Sequence, residues 1–242
     1  MSIYLSVIIP AFNEANRLTG SLDKIKEFLD QQDFEYEVLV VENGSQDGTF
    51  EIAQHCSSRF SNYSVIHEDL TGKGNAVRVG MLAAKGEYRF MCDADLSMPI
   101  EEIVDFLPPN IQDPQVVIAS REIDEAVRHN EPELRHISGR IFNFLIQLLV
   151  LPGIEDSQCG FKLFRADLAE DLFKMQTLDG WAFDIELLAI ARLRGYQIRE
   201  VPVNWYYREE SKINPLRDAF RMTADLLKIR RKLRQGFYAK EV

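Results

Sequence analysis

Two aspartates, Asp93 and Asp95, close the apolar run Tyr88–Cys92 with one residue between them. On an extended chain residues i and i+2 point to the same side, so a bend just past the strand aims both carboxylates at one ion. Hard divalent cations take oxygen ligands, and Mg2+ is often held by one or two carboxylates together with substrate phosphates. The pair can therefore hold Mg2+ or Mn2+ against a nucleotide diphosphate; two solvated loop acids are the plain alternative. A second phosphate-handling signal is Thr71–Gly72–Lys73–Gly74, a glycine turn feeding a helix. Free N–H groups and the helix dipole favour an anion there. The segment lacks the spacing of a P-loop, which argues against an ATPase. Arg121, Arg135, Arg208 and Lys212 are candidate phosphate binders, the arginines as planar forks and the lysine as a mobile point charge. Each can equally be a surface ion pair. Asp156 and Asp184 are the remaining catalytic candidates, and a cap or a buried hydrogen bond is the alternative for Asp184.

The elements that must position these residues alternate in the first half of the chain. Tyr4–Ile9, Tyr36–Val41, Tyr63–His67 and Tyr88–Cys92 read as strands, and Leu18–Leu29 as an amphipathic helix. A second helix runs to about Ser57, capped by Asp47 or Ser45. The glycine turn feeds a third, to about Ala84. This rhythm predicts an α/β fold with a mostly parallel central sheet flanked by helices. Ligands of such sheets bind beyond the carboxyl ends of the strands, where Glu14, Glu42, Lys73, Asp93 and Asp95 all fall. The second half is less regular. Val116–Ser120, Gly160–Phe164 and Gln197–Val203 read as strands, Glu122–Glu133 as a charged loop, and Ser138–Leu151, Phe183–Leu193 and Leu216–Arg234 as helices. No repeat or linker interrupts the chain, so residues 1–242 are expected to form one domain.

Composition sets outer bounds. With 46% hydrophobic residues among 242 the chain can bury a substantial core. A net charge of -10 argues against nucleic acid as a partner. Cys56, Cys92 and Cys159 have no Cys-x-x-Cys spacing and fit a reducing cytosol, and the four histidines lack the i, i+4 pairing of a helical zinc site. No leader pattern is visible, and the longest apolar stretch, Ile141–Leu151, falls short of the ~20 residues that cross a bilayer.

Several segments together resemble family 2 glycosyltransferases with the GT-A fold. They are Val7–Glu14, Val40–Thr49, Gly72–Arg78, Asp93–Ala94–Asp95 and Ala119–Ser120–Arg121. Asp156–Lys162, Trp181–Glu186 and Ser211–Lys212–Ile213 look like the dolichyl-phosphate β-glucosyltransferase and polyprenyl-phosphate sugar synthase branch. The resemblance implies an inverting, metal-dependent hexosyltransferase that moves glucose from UDP-glucose to a polyprenyl phosphate. It implies Asp93 and Asp95 as metal ligands, Asp95 the more direct. It implies Glu42 as acceptor from the ring N–H of the base, and Pro10, Phe12 and Glu14 as walls of the base and ribose pocket. Arg121 and Lys212 lie inside matched motifs. Where the family often has two aspartates this chain has Glu42–Asn43, and Ser97 stands where some relatives place a glutamine on the metal.

The acceptor decides the role of Asp156. A hydroxyl needs a carboxylate base, whereas a lipid phosphate, with a second pKa of about 6, is already mostly ionised. It then needs cations to hold two anions together, and Asp156 orients the acceptor or those cations. A soluble glycosyltransferase acting on a sugar, protein or small-molecule hydroxyl is the first rival reading; a nucleotide-sugar-binding regulator without turnover is the second. The Leu216–Arg234 stretch, basic and amphipathic, predicts peripheral binding to the cytoplasmic face of a membrane, with a helix packed on the domain as the alternative. Ile141–Leu151 is either a core helix or an interfacial one.

Overall fold

The structure, a computed structural model, describes residues 2–208 and 215–239, with the backbone alone for 215–220. Its centre is a seven-stranded sheet. The first four strands are β1 (Leu5–Ala11), β2 (Tyr36–Glu42), β3 (Tyr63–His67) and β4 (Tyr88–Cys92). They are parallel, and they are joined by α1 (Leu18–Leu29), α2 (Thr49–Arg59) and α3 (Lys73–Ala83). The remaining strands are β5 (Val116–Ser120), β7 (Phe161–Arg165) and β8 (Ile198–Pro202), giving the order β3-β2-β1-β4-β7-β5-β8. Only β7 runs against its neighbours. Two three-residue strands, β6 (Val127–His129) and β9 (Asn204–Tyr206), pair apart from the main sheet.

The strand runs are continuously apolar because both faces of the sheet are covered. In β1, Leu5, Val7, Ile9 and Ala11 pack with Leu18, Leu22, Ile25 and Leu29 of α1. Ile8 points the other way, to Ala76, Val77 and Met81 of α3. That is the period-2 alternation of a strand read by two helical layers. From β1 the chain winds outward to β3, then returns to the other side of β1 as β4. The reversal opens a crevice past the ends of β1 and β4, the usual ligand position in such sheets.

The later elements are α4 (Glu133–Leu149), α5 (Ala166–Met175), α6 (Phe183–Leu193) and α7 (Pro215–Arg234). Several differ from expectation. β1 continues through Pro10 because its pairing with β4 stops at Ile8, so the proline lies where β1 has one neighbour only. Gly48, with φ 84°, is the N-cap of α2, so neither Asp47 nor Ser45 is. Asp47 instead accepts from the Thr49 amide and hydroxyl in an Asx turn. The charged loop 122–133 contains β6, and α4 begins five residues early, at Glu133 behind Pro132. A 3-10 turn at Ile100–Phe106 and helix α5 were not foreseen. The helix expected at Leu216–Arg234 is present as α7, which packs into the domain through Leu226 and Ile229.

Candidate active site

Four loops meet at the carboxyl ends of β1, β2, β3 and β4. The two from β1 and β2 lock onto each other. The Asn13 amide donates to Ser45 Oγ (2.9 Å) and the Gln46 amide donates back to Asn13 Oδ1 (2.8 Å). The Glu14 and Ala15 amides donate to Thr49 Oγ1 (2.7 Å) and Asp47 Oδ2 (3.1 Å). This lattice fixes a ledge bearing Pro10, Phe12 and Glu14. Phe12 lies 41% exposed on it, and Glu14 is paired with Arg17.

Glu42 ends β2 fully buried. It accepts from the Ser45 amide and, at 2.7 Å, from His67 Nδ1. Burial pushes its carboxyl up, but the Ser45 and His67 contacts outweigh that and hold it below its ordinary value. Asn43, beside it, donates to the Gly72 carbonyl at 3.0 Å. An aspartate there has no proton to give, so the asparagine ties β2 to the next loop in a way the acid cannot.

That next loop is the glycine turn. Gly72 is the N-cap of α3 with φ 140°, and a Cβ on it would overlap the Asp179 carbonyl. Lys73, the first residue of α3, reaches Asp93 Oδ1 at 2.6 Å and lies 5.4 Å from the centroid of the Trp181 ring. Burial lowers its ammonium, yet Asp93, Asp184 and Asp95 together hold it above the usual lysine range.

Asp93 and Asp95 leave β4 as its first residues in a turn pinned from below, where Ser21 Oγ donates to the Ala94 carbonyl at 2.7 Å. Asp95 Oδ1 accepts from the Ser97 amide at 2.9 Å. Burial pushes the Asp95 carboxyl up, and the neighbouring Asp93 charge adds to it. Two carboxylates crowded this way, one of them desolvated, present what a divalent cation relieves. Among the described residues no third His, Cys, Asp or Glu completes a metal cluster with them. A diphosphate and water would supply the other positions, as is usual for Mg2+. Gly160 packs on Asp93 so closely that any Cβ would overlap the carboxylate.

Beyond β4 the site is built of ion pairs. Arg121 follows β5 and grips Asp156 through Nε (2.6 Å), a second guanidinium nitrogen (2.9 Å) and its own amide (3.0 Å). Burial would raise the Asp156 carboxyl, but Arg121 holds it below the usual range. Glu200 of β8 accepts from the Glu155 and Asp156 amides, and the Trp205 ring lies 5.4 Å from the Arg121 guanidinium. Lys162 of β7, 1% exposed, meets Asp184 at 2.9 Å in the first turn of α6. Burial pushes that carboxyl up. Glu186, two residues on, accepts from the Thr177 and Leu178 amides and the Tyr238 hydroxyl, and so anchors the loop carrying Trp181.

A cleft of about 640 Å3 adjoins Asp95 on the α1 side; Arg17, Lys24, Tyr207 and Arg208 are among its lining residues. Arg135, from the first turn of α4, lies 4.9 Å over the Tyr207 ring. The Tyr206 amide donates to the Ser97 carbonyl at 2.7 Å, which fixes this strand to the aspartate turn. The structure thus gathers Asp93, Asp95 and Lys73 in one cluster and sets Arg208 in the cleft that adjoins Asp95. Arg121 and Asp156 form a second, adjoining pair. Lys212 lies outside the described residues. Sequence reasoning gave no role to His67, Lys162, Trp205 or Glu186. Lys162 and Glu186 lay within matched motifs, but a buried polar residue in an apolar run shows its partner only in three dimensions.

The family model for glycosyl transferase family 2 matches residues 6–173. Dolichyl-phosphate beta-glucosyltransferase of Dictyostelium discoideum is 34% identical over 95% of this chain and 74% of its own length. The Drosophila melanogaster protein of the same name is 37% identical over 94% and 74%, and the Homo sapiens one 33% over 98% and 78%. Among solved structures, mannosyl-3-phosphoglycerate synthase from Rubrobacter xylanophilus superposes with a TM-score of 0.67 at 19% identity, over 99% of this chain and 77% of that one. Glucosyl-3-phosphoglycerate synthase from Mycobacterium tuberculosis, bound to Mn2+, UDP-glucose and phosphoglyceric acid, gives 0.65 at 18%, over 94% and 80%. These two likenesses establish the GT-A fold.

Proposed function

The chain belongs to glycosyl transferase family 2, and from that premise we propose an inverting hexosyltransferase that moves glucose from UDP-glucose to a polyprenyl or dolichyl phosphate. It acts as one domain, peripherally, on the cytoplasmic face of a membrane. The Asn13–Ser45 ledge with Phe12 receives the base and ribose, and Glu42 lies at its edge. Lys73 and the first turn of α3 take the diphosphate. Asp93 and Asp95 hold Mg2+ or Mn2+, whose chemistry is to neutralise charge on the leaving diphosphate. Arg208, Arg135, Arg121 and Lys212 serve the incoming phosphate.

One observation carries the choice of acceptor: Asp156 has both oxygens committed to Arg121. A carboxylate held below its usual range by a bidentate guanidinium is a poor proton acceptor. Cations, by contrast, collect around the cleft next to Asp95. An ionised phosphate needs the second and not the first. Asp156 is then a positioning residue that sets the Arg121 fork.

The test is a screen of radiolabelled nucleotide sugars against a polyprenyl phosphate and the matching free alcohol in detergent. Transfer from UDP-glucose to the phosphate, with none to the alcohol, is expected. Robust transfer to a hydroxyl with none to the phosphate would overturn the reading. Arg208→Ala should impair transfer strongly while calorimetry still records donor binding, because a charge-assisted contact to the acceptor alone is lost.

A further inference from the structure

Helix α4 is apolar on both sides. Its inward side packs Ile146, with Phe142 and Leu149, on the core and carries two polar anchors: Asn143 Nδ2 donates to the Glu155 carbonyl at 2.5 Å, and Gln147 Nε2 reaches Glu155 Oε2 at 3.4 Å. Ile146 is its only buried residue. Its outward side carries Leu134, Ile137, Ile141, Phe144 and Leu148, which are 83%, 56%, 61%, 64% and 65% exposed. Their spacing of three, four, three and four residues makes one straight stripe on a helix. The Glu155 contacts fix the rotation of the helix, so the stripe is not a core face turned the wrong way. An apolar patch of this extent on a charged protein marks a surface that something covers.

We propose that this stripe is a membrane-docking face, seated at the headgroup–acyl boundary of an anionic bilayer. It rests on the peripheral-membrane reading above and names the surface that carries it. At 17 residues α4 is about 25 Å long, and no helix among the described residues is long and apolar enough to cross a membrane. An exposed apolar face of that length lies along an interface.

Charge selects the bilayer over a second copy of the chain. Helix α7 packs beside α4 and buries Leu226 and Ile229 in the core, while Leu227 stays exposed. What it leaves outward includes Arg221, Lys228, Arg231 and Arg234. A two-fold contact through α4 would bring the two basic helices of a dimer toward one another. An anionic surface attracts them instead. Sequence alone left both stretches open to a membrane, Leu216–Arg234 as a basic amphipathic helix and Ile141–Leu151 as a core or interfacial one; on this proposal the work is divided, with apolar contact from α4 and cations from α7.

The stripe also leads to the chemistry. Arg135, one residue past Leu134, lies over Tyr207, and Tyr207 and Arg208 line the cleft beside Asp95. A phosphate held there sits at one end of the docking face, with its hydrocarbon tail left in the bilayer.

The test is co-sedimentation of the full chain with acceptor-free vesicles of phosphatidylcholine with phosphatidylserine, and of phosphatidylcholine alone. The variants are I141E/F144E and K228E/R231E, all four positions being exposed. Wild type should pellet with the anionic vesicles. I141E/F144E should lose that by roughly ten-fold or more with unchanged melting, and K228E/R231E should lose the salt-sensitive part. Wild type left in the supernatant, pelleting of I141E/F144E like wild type, or equal pelleting on neutral vesicles would overturn the proposal. So would a lipid-independent dimer in sedimentation velocity that I141E/F144E splits. Transfer to a water-soluble, short-chain prenyl phosphate separates the two readings. Its absence in wild type strikes the acceptor assignment and leaves the vesicle result standing. Its persistence in I141E/F144E confines the defect to docking.

Discussion

On the β1–β2 side of β4 the loops hold one another through amides and short polar side chains, whereas on the β7–β5 side the same task falls to buried ion pairs. Four hydrogen bonds join the first, from the Asn13, Glu14, Ala15 and Gln46 amides to the side chains of Ser45, Thr49, Asp47 and Asn13. Arg121–Asp156 and Lys162–Asp184 bind the second. The difference is one of stakes. A typical hydrogen bond contributes about 1 kcal/mol net, and its loss is local. Breaking a buried ion pair from one side costs about 3–5 kcal/mol, because the orphaned charge stays in low dielectric. A loop that must receive a neutral base suits the first construction. A site that must assemble several anions suits the second, since fixed cations are what it needs.

The contrast can be broken at four points. The largest effect is expected at the boundary: Asp95→Asn should lower turnover by roughly three orders of magnitude, the scale of a lost preorganised charge, with melting unchanged. Near-wild-type turnover at saturating Mg2+ or Mn2+ would remove Asp95 from the metal. Next, Asp156→Asn should cost about 3–5 kcal/mol of stability by urea denaturation. Its folded fraction should keep turnover to within the ~10²-fold that marks loss of a required base. A larger drop in turnover with little destabilisation would restore Asp156 as the base. On the other side, Ser45→Ala should cost only about 1 kcal/mol, and a loss as large as that of Asp156→Asn would erase the comparison.

The smallest effect is a pH dependence at the Glu42–His67 contact. The Glu42 carboxylate raises the imidazole above its ordinary value of 6.5. Its stabilisation is therefore full below 6.5 and fades as pH climbs through the raised folded value. Glu42 is held below its ordinary 4.5, so its share is full above 4.5 and fades as pH falls through the lowered folded value. The linkage predicts a shallow optimum between those two limbs. His67→Phe should flatten the alkaline limb of melting temperature against pH; an unchanged limb would assign it to another group.

The same division explains what could be read from the chain. Strands β1 to β4 were legible because covered parallel strands are unbroken apolar runs, and their ends advertise Glu42, Lys73 and Asp93–Asp95. Three-residue strands such as β6 offer no period to read. Helix α5 follows β7 without a turn, so Phe161–Phe164 and Leu168–Phe173 merge into one apolar stretch. Lys162, inside the strand read at Gly160–Phe164, received no role because its partner Asp184 comes from another element. The apolar pattern of α4 was visible, but whether it faces core or solvent depends on Glu155, which arrives after the helix ends.

Strand β7 has a consequence for how the protein is made. It lies between β4 and β5, yet Phe161–Arg165 leaves the ribosome well after Val116–Ser120, and β8 follows later still. Every residue of β5 is buried in the finished sheet. During synthesis it therefore waits with both edges open while β4 waits with one, and unpaired apolar edges are templates for wrong partners. A nascent chain stalled between Ser120 and Phe161 carries that hazard in full. Translation pace across this interval, more than the final stability of the sheet, should govern how much of the protein reaches its native form.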